Sequence, residues 1–433
     1  MKYLKSWAGI TSSADTGVLF RSKDNFGFGL TSVVDHFLKM QLIKYDLFQN
    51  SPDESIKDLI AIRAAREEKL TRVWKPTSLS KTINYEVDLD LKFPQQSSHL
   101  GLGHGNFNPN PSLSDRRKMI TSKAMAFSEQ ERIAHSTTLS QQGVWLQWAD
   151  NALPFDFSWS NIIWGSSFHI VKFVLSASIN WVATPHLLKL WGLKESGSCP
   201  LCAEPLCTLH HIISHCQFSL HSKRYTWRHD SVLLSIKQAI EEHLSSINQE
   251  QSKDSILKPS LSDFFVKAGQ RPVKKKIVQK QKCALEGACD WKMLVDFDQQ
   301  NIVFPPEICE STERPDIIIW SLSLKKVVLL ELTCPAEEGI LAARAYKEAK
   351  YLPLLDSIKG NHWSPIFLPI EVGARGFVAH SLVSSLLRLG IPRANINTLR
   401  KTVSSISAKC SFHILQSANT VAWDLTKPLL TPN

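Results

Sequence analysis

The chain of 433 residues is predicted to be an α+β protein of several domains: a helical N-terminal region, a small metal-binding segment and an α/β C-terminal core. Its length corresponds to about three domains of ordinary size, and 43% hydrophobic residues can fill their cores. A Cys/His cluster occupies the middle of the sequence. Near the C-terminus, the aliphatic runs IIIW (317–320) and VVLL (327–330) predict two buried strands, which an amphipathic segment follows.

The first part of the chain is predicted to be helical in two regions, 1–75 and 117–193, which a linker at 76–116 separates. Residues 54–74 place apolar side chains at helical spacing. The linker is rich in Gly, Asn, Pro and Ser, a composition typical of loops. The second helical region carries many aromatic residues, six of them tryptophans.

A zinc knuckle is predicted within residues 194–248. The spacing is C-x2-C-x8-H-x4-C, and four residues supply it: Cys199, Cys202, His211 and Cys216. His210 and His215 compete for the third position. His211 is preferred, because the gap of four residues places it and the last cysteine on one helical face. Four-ligand zinc sites are structural, so Zn²⁺ is expected to stabilise this segment without taking part in a reaction.

After the knuckle we predict one helix and then a polar and basic linker, 249–284. Asp230 or Ser231 is expected to cap the helix, which has apolar residues on one face. The run RPVKKKIVQKQK (271–282) has six positive residues and no acid. It is either a solvated charge run or a strip that contacts phosphates. The net charge of +10 favours polyanionic partners such as nucleic acid or an anionic membrane surface.

The two aliphatic runs predict a β-hairpin that turns at Ser323–Leu324 and brings two carboxylates together. In this register Asp316 faces Glu331. Directly opposed side chains share a face, with Cβ atoms about 5 Å apart, so the two carboxylates need a cation between them. Carboxylate oxygens suit Mg²⁺ or Mn²⁺, the ions of metal-assisted phosphodiester hydrolysis. A slip of one residue would put the carboxylates on opposite faces.

The next segment, PAEEGILAARAYKEAKY, predicts a helix that begins near Pro335 and has lysines in its last turn. Lys347, Lys350 and Tyr351 share one helical face. A lysine there could orient an attacking water or offset charge on a phosphate. Alternatively, both lysines only favour the helix C-terminus. A second helix is expected over 377–389.

These motifs together resemble a known family. A C-C-H-C knuckle followed by RPD…ELTCP…KxxKY is similar to the C-terminal region of non-LTR retrotransposon polyproteins of the lineage that carries a restriction-like, PD-(D/E)xK-type endonuclease. KRYTWRHD (223–230), EVGARGF (371–377) and CSFHILQSANTVAWD (410–424) also resemble this family. The N-terminal segment is similar to the thumb region that follows the polymerase palm. The resemblance covers nearly the whole chain, most strongly residues 180–380.

The resemblance implies a protein that nicks DNA so that reverse transcription is primed on the exposed 3′ end. Its restriction-like domain would span 285–433, with five implied catalytic residues: the metal-binding Asp316 and Glu331, and Lys347, Lys350 and Tyr351. Lys347 and Lys350 compete for the role of catalytic lysine. The lysine usual two residues after the acid is replaced by Thr333, so a helix must supply it. A third acid is common in the family, and three candidates stay open: Asp290, Asp296 and Asp298.

The implied partner is DNA, with the element's RNA as a further candidate. The residues predicted to contact nucleic acid lie beside the knuckle and in the basic run: Lys223, Arg224, Trp227, Arg228, His229, Lys274, Lys275 and Lys276. The sequence has no Asp-Asp dipeptide, so the paired aspartates of a polymerase palm are missing and a truncated element without polymerase activity is expected. The alternatives are a catalytically inactive nucleic-acid-binding remnant and a product with no stable role.

A reducing compartment is predicted, nuclear or cytoplasmic. Nine cysteines, four of them in the knuckle, do not form the even set of a disulfide framework. The N-terminus shows no apolar signal region, and no run reaches the ~20 apolar residues of a membrane span. The chain is therefore expected not to be secreted and not to contact a membrane.

Overall fold

A computed structural model describes most of the chain in two compact units. The described residues are 13–22, 27–68, 112–140, 142–143, 165–254, 283–297 and 302–424, and positions 3, 5, 6, 9, 82, 83, 87, 162 and 430. One unit is Asp15–Leu146, and the other combines Met1–Ala14 with Gln147–Asn433. Most of the predicted linkers at 76–116 and 249–284, including Lys274, Lys275 and Lys276, lies outside the described residues.

The unit Asp15–Leu146 is helical. Its helices are α1 (Gly17–Phe20), α2 (Val33–Gln49), α3 (Glu54–Glu68) and α4 (Leu113–Thr137). Ser32 and Ser112 cap α2 and α4, and each side chain accepts the backbone N–H three residues on. Leu42 of α2 packs with Ile120 of α4 in a small buried core.

The second unit contains helices around a four-stranded sheet. Its elements are α5 (Phe168–Ala177), α6 (Pro185–Leu190), a π-helical turn (His211–His215), α7 (Gln217–His221), α8 (Arg224–Asp254), β1 (Lys292–Val295), β2 (Ile317–Ser321), β3 (Lys326–Thr333), a 3₁₀ turn (Glu337–Gly339), α9 (Ile340–Gly360), β4 (Ser364–Glu371), α10 (His380–Leu389) and α11 (Arg393–Gln416). The described part of the chain is therefore mixed α/β, which confirms the predicted combination of helices and strands. None of its helices is long and apolar enough to cross a membrane.

The sheet has the strand order β1-β2-β3-β4. Its first three strands are antiparallel neighbours, and β4 pairs parallel to β3 after the crossover through α9. Trp320 pairs with Val327 and Ile317 with Leu330, so the predicted hairpin register is confirmed. The adjoining opposed positions are those of Asp316 and Glu331, which lie at the end of the hairpin away from its turn.

Both faces of the hairpin are buried, as expected of continuous aliphatic strands. Alternate residues such as Ile319 and Val328 join a core with α8, α10 and α11. The intervening residues, including Ile318 and Leu329, join a second core with α9. Helix layers on both faces therefore hold the hairpin rigidly, which fixes the positions of the charged residues at its end.

Helix α9 differs from its prediction at both ends. Residues 337–339 form a 3₁₀ turn before it, and it continues to Gly360 with Pro353 inside. The continuation occurs although an interior proline removes a hydrogen bond, because Leu354 and Ile358 pack into the second core. Lys347 and Lys350 therefore lie in the middle of the helix, and their prediction as last-turn residues is wrong.

Helix α8 begins six residues before its predicted cap. It starts at Arg224, so Asp230 and Ser231 lie inside it and the capping prediction is wrong. The Ser231 hydroxyl instead donates 2.7 Å to the carbonyl of Trp227, one turn earlier. The early start matters because this first part of α8 connects the Cys/His cluster with the sheet.

Candidate functional site

The four predicted zinc ligands converge in the structure. The ligand atoms of Cys199, Cys202, His211 and Cys216 all lie within 4.8 Å of one another. Cys202 Sγ is 3.3 Å from His211 Nε2, and Cys199 Sγ is 4.0 Å from Cys216 Sγ. Three thiols and one imidazole are the donor set of a structural zinc site, so this cluster could hold a metal ion such as zinc. The preference for His211 over its neighbours is confirmed.

Local backbone bonds shape this cluster. Ala203 adopts the left-handed region (φ 60°), and the N–H of Cys199 donates 2.8 Å to the Glu204 carbonyl. His211 is the first residue of a π turn and Cys216 directly follows that turn, where an α-helical turn was expected. Tyr225 of α8 holds that turn, because its hydroxyl accepts the N–H of Cys216 at 3.0 Å and donates to the Ile212 carbonyl at 2.9 Å.

A second site lies at the open end of the hairpin. The N–H of Asp316 donates 3.2 Å to Glu331 Oε2. The other strand's Leu332 N–H donates 2.6 Å to Asp316 Oδ2. These bonds hold the two carboxylates side by side. The Glu331 side chain is only 2% exposed and that of Asp316 is 16% exposed, so both lie where water stabilises charge poorly.

Lys347 reaches this pair from α9. Its Nζ forms a short ion pair with Glu331 Oε1. Burial and the nearby Asp316 raise the pKa of Glu331, and Lys347 opposes that rise. Burial alone lowers the pKa of Lys347, but Glu331 outweighs it and raises that pKa. Lys347 therefore reaches Glu331 from the helix, whereas Thr333 occupies the second position after Glu331 on β3.

The two neighbouring helix residues differ: Lys350 pairs with another acid, whereas Tyr351 lies beside Glu331, and its hydrogen bond opposes the rise in the pKa of Glu331. Lys350 Nζ is 3.1 Å from Glu313 Oε2. Tyr351 is fully buried, and its hydroxyl donates 3.1 Å to the Arg314 carbonyl. Tyr351 therefore supports the strand that carries Asp316 and does not face solvent.

His229 of α8 contacts Asp316 from the opposite side. Its Nε2 lies 3.3 Å from Asp316 Oδ2 and 3.2 Å from the Leu332 carbonyl, and its Nδ1 lies 2.9 Å from Asp230 Oδ1. Both ring nitrogens face acceptors, which is the arrangement of an imidazolium. Burial lowers the pKa of this group, but the carboxylates of Asp316 and Asp230 outweigh it and raise the pKa well above its usual value.

A cavity of about 320 Å³ opens onto this arrangement. Asp316, Lys347, His229 and Thr333 line it, and Glu331 lies directly behind Lys347. Thr333 Oγ1 is buried with no hydrogen-bond partner among the described residues. An unsatisfied hydroxyl beside paired carboxylates fits a site for a hydrated divalent cation.

The cavity also distinguishes the three candidates for a third acid. Asp296 lines it, and the N–H of Asp296 donates 2.9 Å to the Asp316 carbonyl. Asp290 lies at the turn of the hairpin, where it accepts bonds from Ser321 and Ser323. Asp298 is outside the described residues. Strand β1, which the sequence did not reveal, is what brings Asp296 to the site.

The residues predicted to contact nucleic acid beside the knuckle require a correction. Arg224, Trp227 and Arg228 are buried. Arg228 donates 2.8 Å to the Ile213 carbonyl and 2.7 Å to the Cys334 carbonyl. Buried guanidinium groups that bond to carbonyls, and a buried indole that packs against Trp423, stabilise the fold and do not reach a phosphate, so these three predictions are wrong. Lys223 is exposed, and His229 lies in the cavity instead.

A buried ion cluster escaped the sequence prediction altogether. Arg375 Nη1 lies 2.8 Å from Glu337 Oε2 and 2.9 Å from Glu338 Oε2, and Nη2 donates to Asn180 Oδ1 at 2.8 Å. Three α11 serines donate to backbone carbonyls of the same loop: Ser404, Ser407 and Ser411. The motifs EVGARGF and CSFHILQ therefore meet in one buried polar network. The sequence signal that could have indicated this cluster was the adjacent pair Glu337 and Glu338 together with Arg375.

Replacing His229 by glutamine is expected to remove a pH-dependent part of the stability. The raised pKa means that the folded state binds the proton more tightly than the unfolded state. This stabilisation is complete below about pH 6.5 and is lost as the pH rises through the folded pKa. The parent's advantage in free energy of unfolding should therefore fall as pH rises, by at most about 1.4 kcal/mol per unit.

Urea unfolding between about pH 6 and pH 9, without added divalent cation, measures this difference. The matched control is His221→Gln, because His221 is exposed and its ring contacts the Gln217 carbonyl instead of a carboxylate. A parent and a His229 variant with parallel pH profiles would contradict the imidazolium assignment.

No protein-family model matches the chain, and no curated protein matches it either. The function therefore has to be inferred from the two sites themselves.

Proposed function

We propose that the chain is a divalent-metal-dependent DNA endonuclease that nicks one strand, derived from the C-terminal region of a non-LTR retrotransposon polyprotein. The observation that carries the proposal is the carboxylate pair of Asp316 and Glu331 at the end of a rigid hairpin, with Lys347 bonded to it at a cavity. Strand, strand, helix and parallel strand in this order are also what a restriction-like PD-(D/E)xK core requires. The cation would be Mg²⁺ or Mn²⁺.

The roles of the residues follow from their positions. Asp316 and Glu331 would hold the cation, which when bound neutralises phosphate charge and lowers the pKa of a water. The water oxygen forms a bond to phosphorus and gives up a proton to solvent. The bond from phosphorus to the 3′ oxygen breaks, and this oxygen takes up a proton from solvent, which leaves a 5′ phosphate and a 3′ hydroxyl. Lys347 opposes the rise in the pKa of Glu331 and offsets negative charge that develops on the phosphate. The second metal, Zn²⁺ on the Cys/His cluster, would be structural.

Lys347 is the better candidate for the catalytic lysine than Lys350. Lys347 lines the cavity and contacts Glu331, whereas Lys350 pairs with Glu313. The partner would be DNA, with RNA of the element as a second ligand, in the nucleus or cytoplasm. The alternative function is that of an inactive nucleic-acid-binding remnant, since His229 already places a positive charge on Asp316.

The test is nicking of a supercoiled plasmid by the purified chain with Mg²⁺ or Mn²⁺. Asp316→Asn and Lys347→Met are expected to lower the rate by about a hundredfold or more. Lys350→Met is the matched control one helical turn away and should retain activity within a few-fold. The metal-free control leaves Mg²⁺ and Mn²⁺ out of the buffer. A chelator is not used, because it would also remove zinc.

Nicking that all three variants retain would overturn the site assignment. If the parent does not nick the plasmid but still binds DNA in a salt-sensitive way, the endonuclease proposal is overturned in favour of the inactive nucleic-acid-binding remnant.

A further inference from the structure

A second cavity lies apart from the carboxylates, between α5, α6 and the C-terminal end of α11. Its volume is about 460 Å³. Aromatic rings and polar side chains line it together: Phe173, Trp181, Trp191, Phe412, His169, Lys172, Gln416 and Asn419. We call it the tryptophan cavity. Neither the zinc cluster nor the proposed nuclease site uses these side chains.

The two indoles form an angled pair at the cavity. The ring centroids of Trp181 and Trp191 are 5.3 Å apart with an interplanar angle of 54°. Both side chains are half-buried, so each presents part of its surface to the cavity. Indole faces bind flat, electron-poor rings, and stacking of a nucleobase on an aromatic side chain is a common and sequence-tolerant way to bind single strands.

The charge of the cavity wall has one sign. Among the residues that the structure describes, no carboxylate lines the tryptophan cavity, and the sequence 157–194 contains no Asp or Glu. Lys172 and His169 on α5 are exposed at its rim. A cationic ligand would find no partner among the lining side chains, whereas a phosphate would find Lys172. Gln416 and Asn419 add amide groups, which can donate to and accept from the edge of a base.

The cavity wall is also tied to the zinc cluster. Ile212, which lines the cavity, directly follows the ligand His211. The N–H of His186 on α6 donates 3.3 Å to the Cys207 carbonyl. The wall that carries Trp191 is therefore fixed by the knuckle, as a preformed binding site requires.

We propose that the tryptophan cavity binds one unpaired nucleotide of single-stranded DNA. The base stacks on the indole of Trp191, which Trp181 supports at an angle, and its phosphate contacts Lys172. The inference rests on the proposed function, because a nuclease that opens one strand of a duplex exposes such nucleotides. It adds a binding site for the displaced or nicked strand, distinct from the cavity at Asp316.

Fluorescence anisotropy of a labelled oligothymidylate, titrated with the full zinc-loaded chain, tests this proposal. Trp191→Leu is expected to weaken binding about tenfold or more, and Trp191→Phe should restore most of it, because phenylalanine keeps a stacking face. Lys172→Met should weaken binding and reduce the salt slope by about one. Lys189→Met is the matched control, since Lys189 is exposed on α6 outside the cavity.

Each outcome bears on the proposal. Variants of Trp191 and Lys172 that bind like Lys189→Met would overturn it, provided that their zinc content is unchanged. If the parent binds a single-stranded RNA or a duplex DNA as tightly as the oligothymidylate, the assignment of the ligand as single-stranded DNA is overturned. Plasmid nicking by the same proteins separates the two proposals. If binding depends on Trp191 but the plasmid is not nicked, only the proposed nuclease activity is overturned. If the plasmid is nicked but binding does not depend on Trp191, only the proposed role of the tryptophan cavity is overturned.

Discussion

Substitution of a single ligand in the Cys/His cluster is expected to remove a metal ion from the chain and to unfold the segment around it. Cys216→Ser replaces a thiolate donor that lies with the other three ligand atoms within 4.8 Å. Structural zinc contributes about 10–16 kcal/mol of apparent binding free energy in small zinc-stabilised units. With three donors left, we expect the zinc content to fall from about one ion per chain to about zero.

The reason is that a bound ion would join the loop of the first two ligands to the turn of the other two at one point. The first two ligands lie in a loop, and the other two lie at the start of a single π turn and directly after it. Without an ion, three thiols and an imidazole would be packed together with only weak contacts between them. The bonds from Tyr225 would then still hold the π turn, but the loop with the first two ligands would no longer be fixed to that turn.

Elemental analysis and thermal unfolding of the purified protein measure both effects. Cys207→Ser is the matched control, because Cys207 is a fully buried cysteine of the same segment that is not among the four ligands. Equal loss of zinc from Cys207→Ser, or full retention by Cys216→Ser, would contradict the assignment of the ligand set.

Replacement of Arg375 by methionine is expected to lower the free energy of unfolding by about 3–5 kcal/mol. The guanidinium is 1% exposed and contacts two carboxylates, of which Glu337 is fully buried. Burial raises the pKa of Glu337, and Arg375 opposes that rise. Without the cation, a buried negative charge has no compensation and must take up a proton or draw in water, either of which costs stability.

The loss should depend on pH in a defined direction. Glu337 in the variant has a pKa raised further above its unfolded value, so the penalty is full above that folded pKa and shrinks as the pH falls through it. The deficit of Arg375→Met relative to the parent should therefore be smaller near pH ~4 than at pH ~7.

Urea unfolding followed by tryptophan fluorescence measures this deficit. Arg344→Met is the matched control: Arg344 also pairs with a glutamate, at 2.8 Å, but the pair lies at the surface with 32% and 45% exposure. Surface pairs contribute about 0–1 kcal/mol. Equal losses for the two substitutions would show that the buried cluster does not stabilise the fold.

The sequence alone predicted the features that depend on local spacing. The hairpin register followed from two aliphatic runs with a short polar turn, because pairing fixes every opposed position once the turn is placed. The same register identified Asp316 and Glu331 as neighbours. The ligand His211 followed from its distance to Cys216, although the turn between them proved to be π-helical and not α-helical.

Other features depend on residues far apart in the sequence, and no local pattern contains them. Arg228 resembled a surface cation by composition, yet it is buried because α8 begins early and packs its first turns between the knuckle and the sheet. His229 reaches Asp316 across 87 positions of sequence for the same reason. Its role as a neighbour of the carboxylates could not be read from spacing.

Periodicity and short gaps along one segment were therefore enough to predict the pairing within the hairpin and the four candidate ligands of the Cys/His cluster. Contacts between distant segments could be seen only in the folded chain: the cations that meet the carboxylates, the approach of Asp296, and the position of Arg375 between buried acids. These contacts arise when apolar helix faces are buried against both sides of the sheet. Charged groups that this packing buries are stable only when they pair with an opposite charge, because an unpaired charge in the interior has a high desolvation cost.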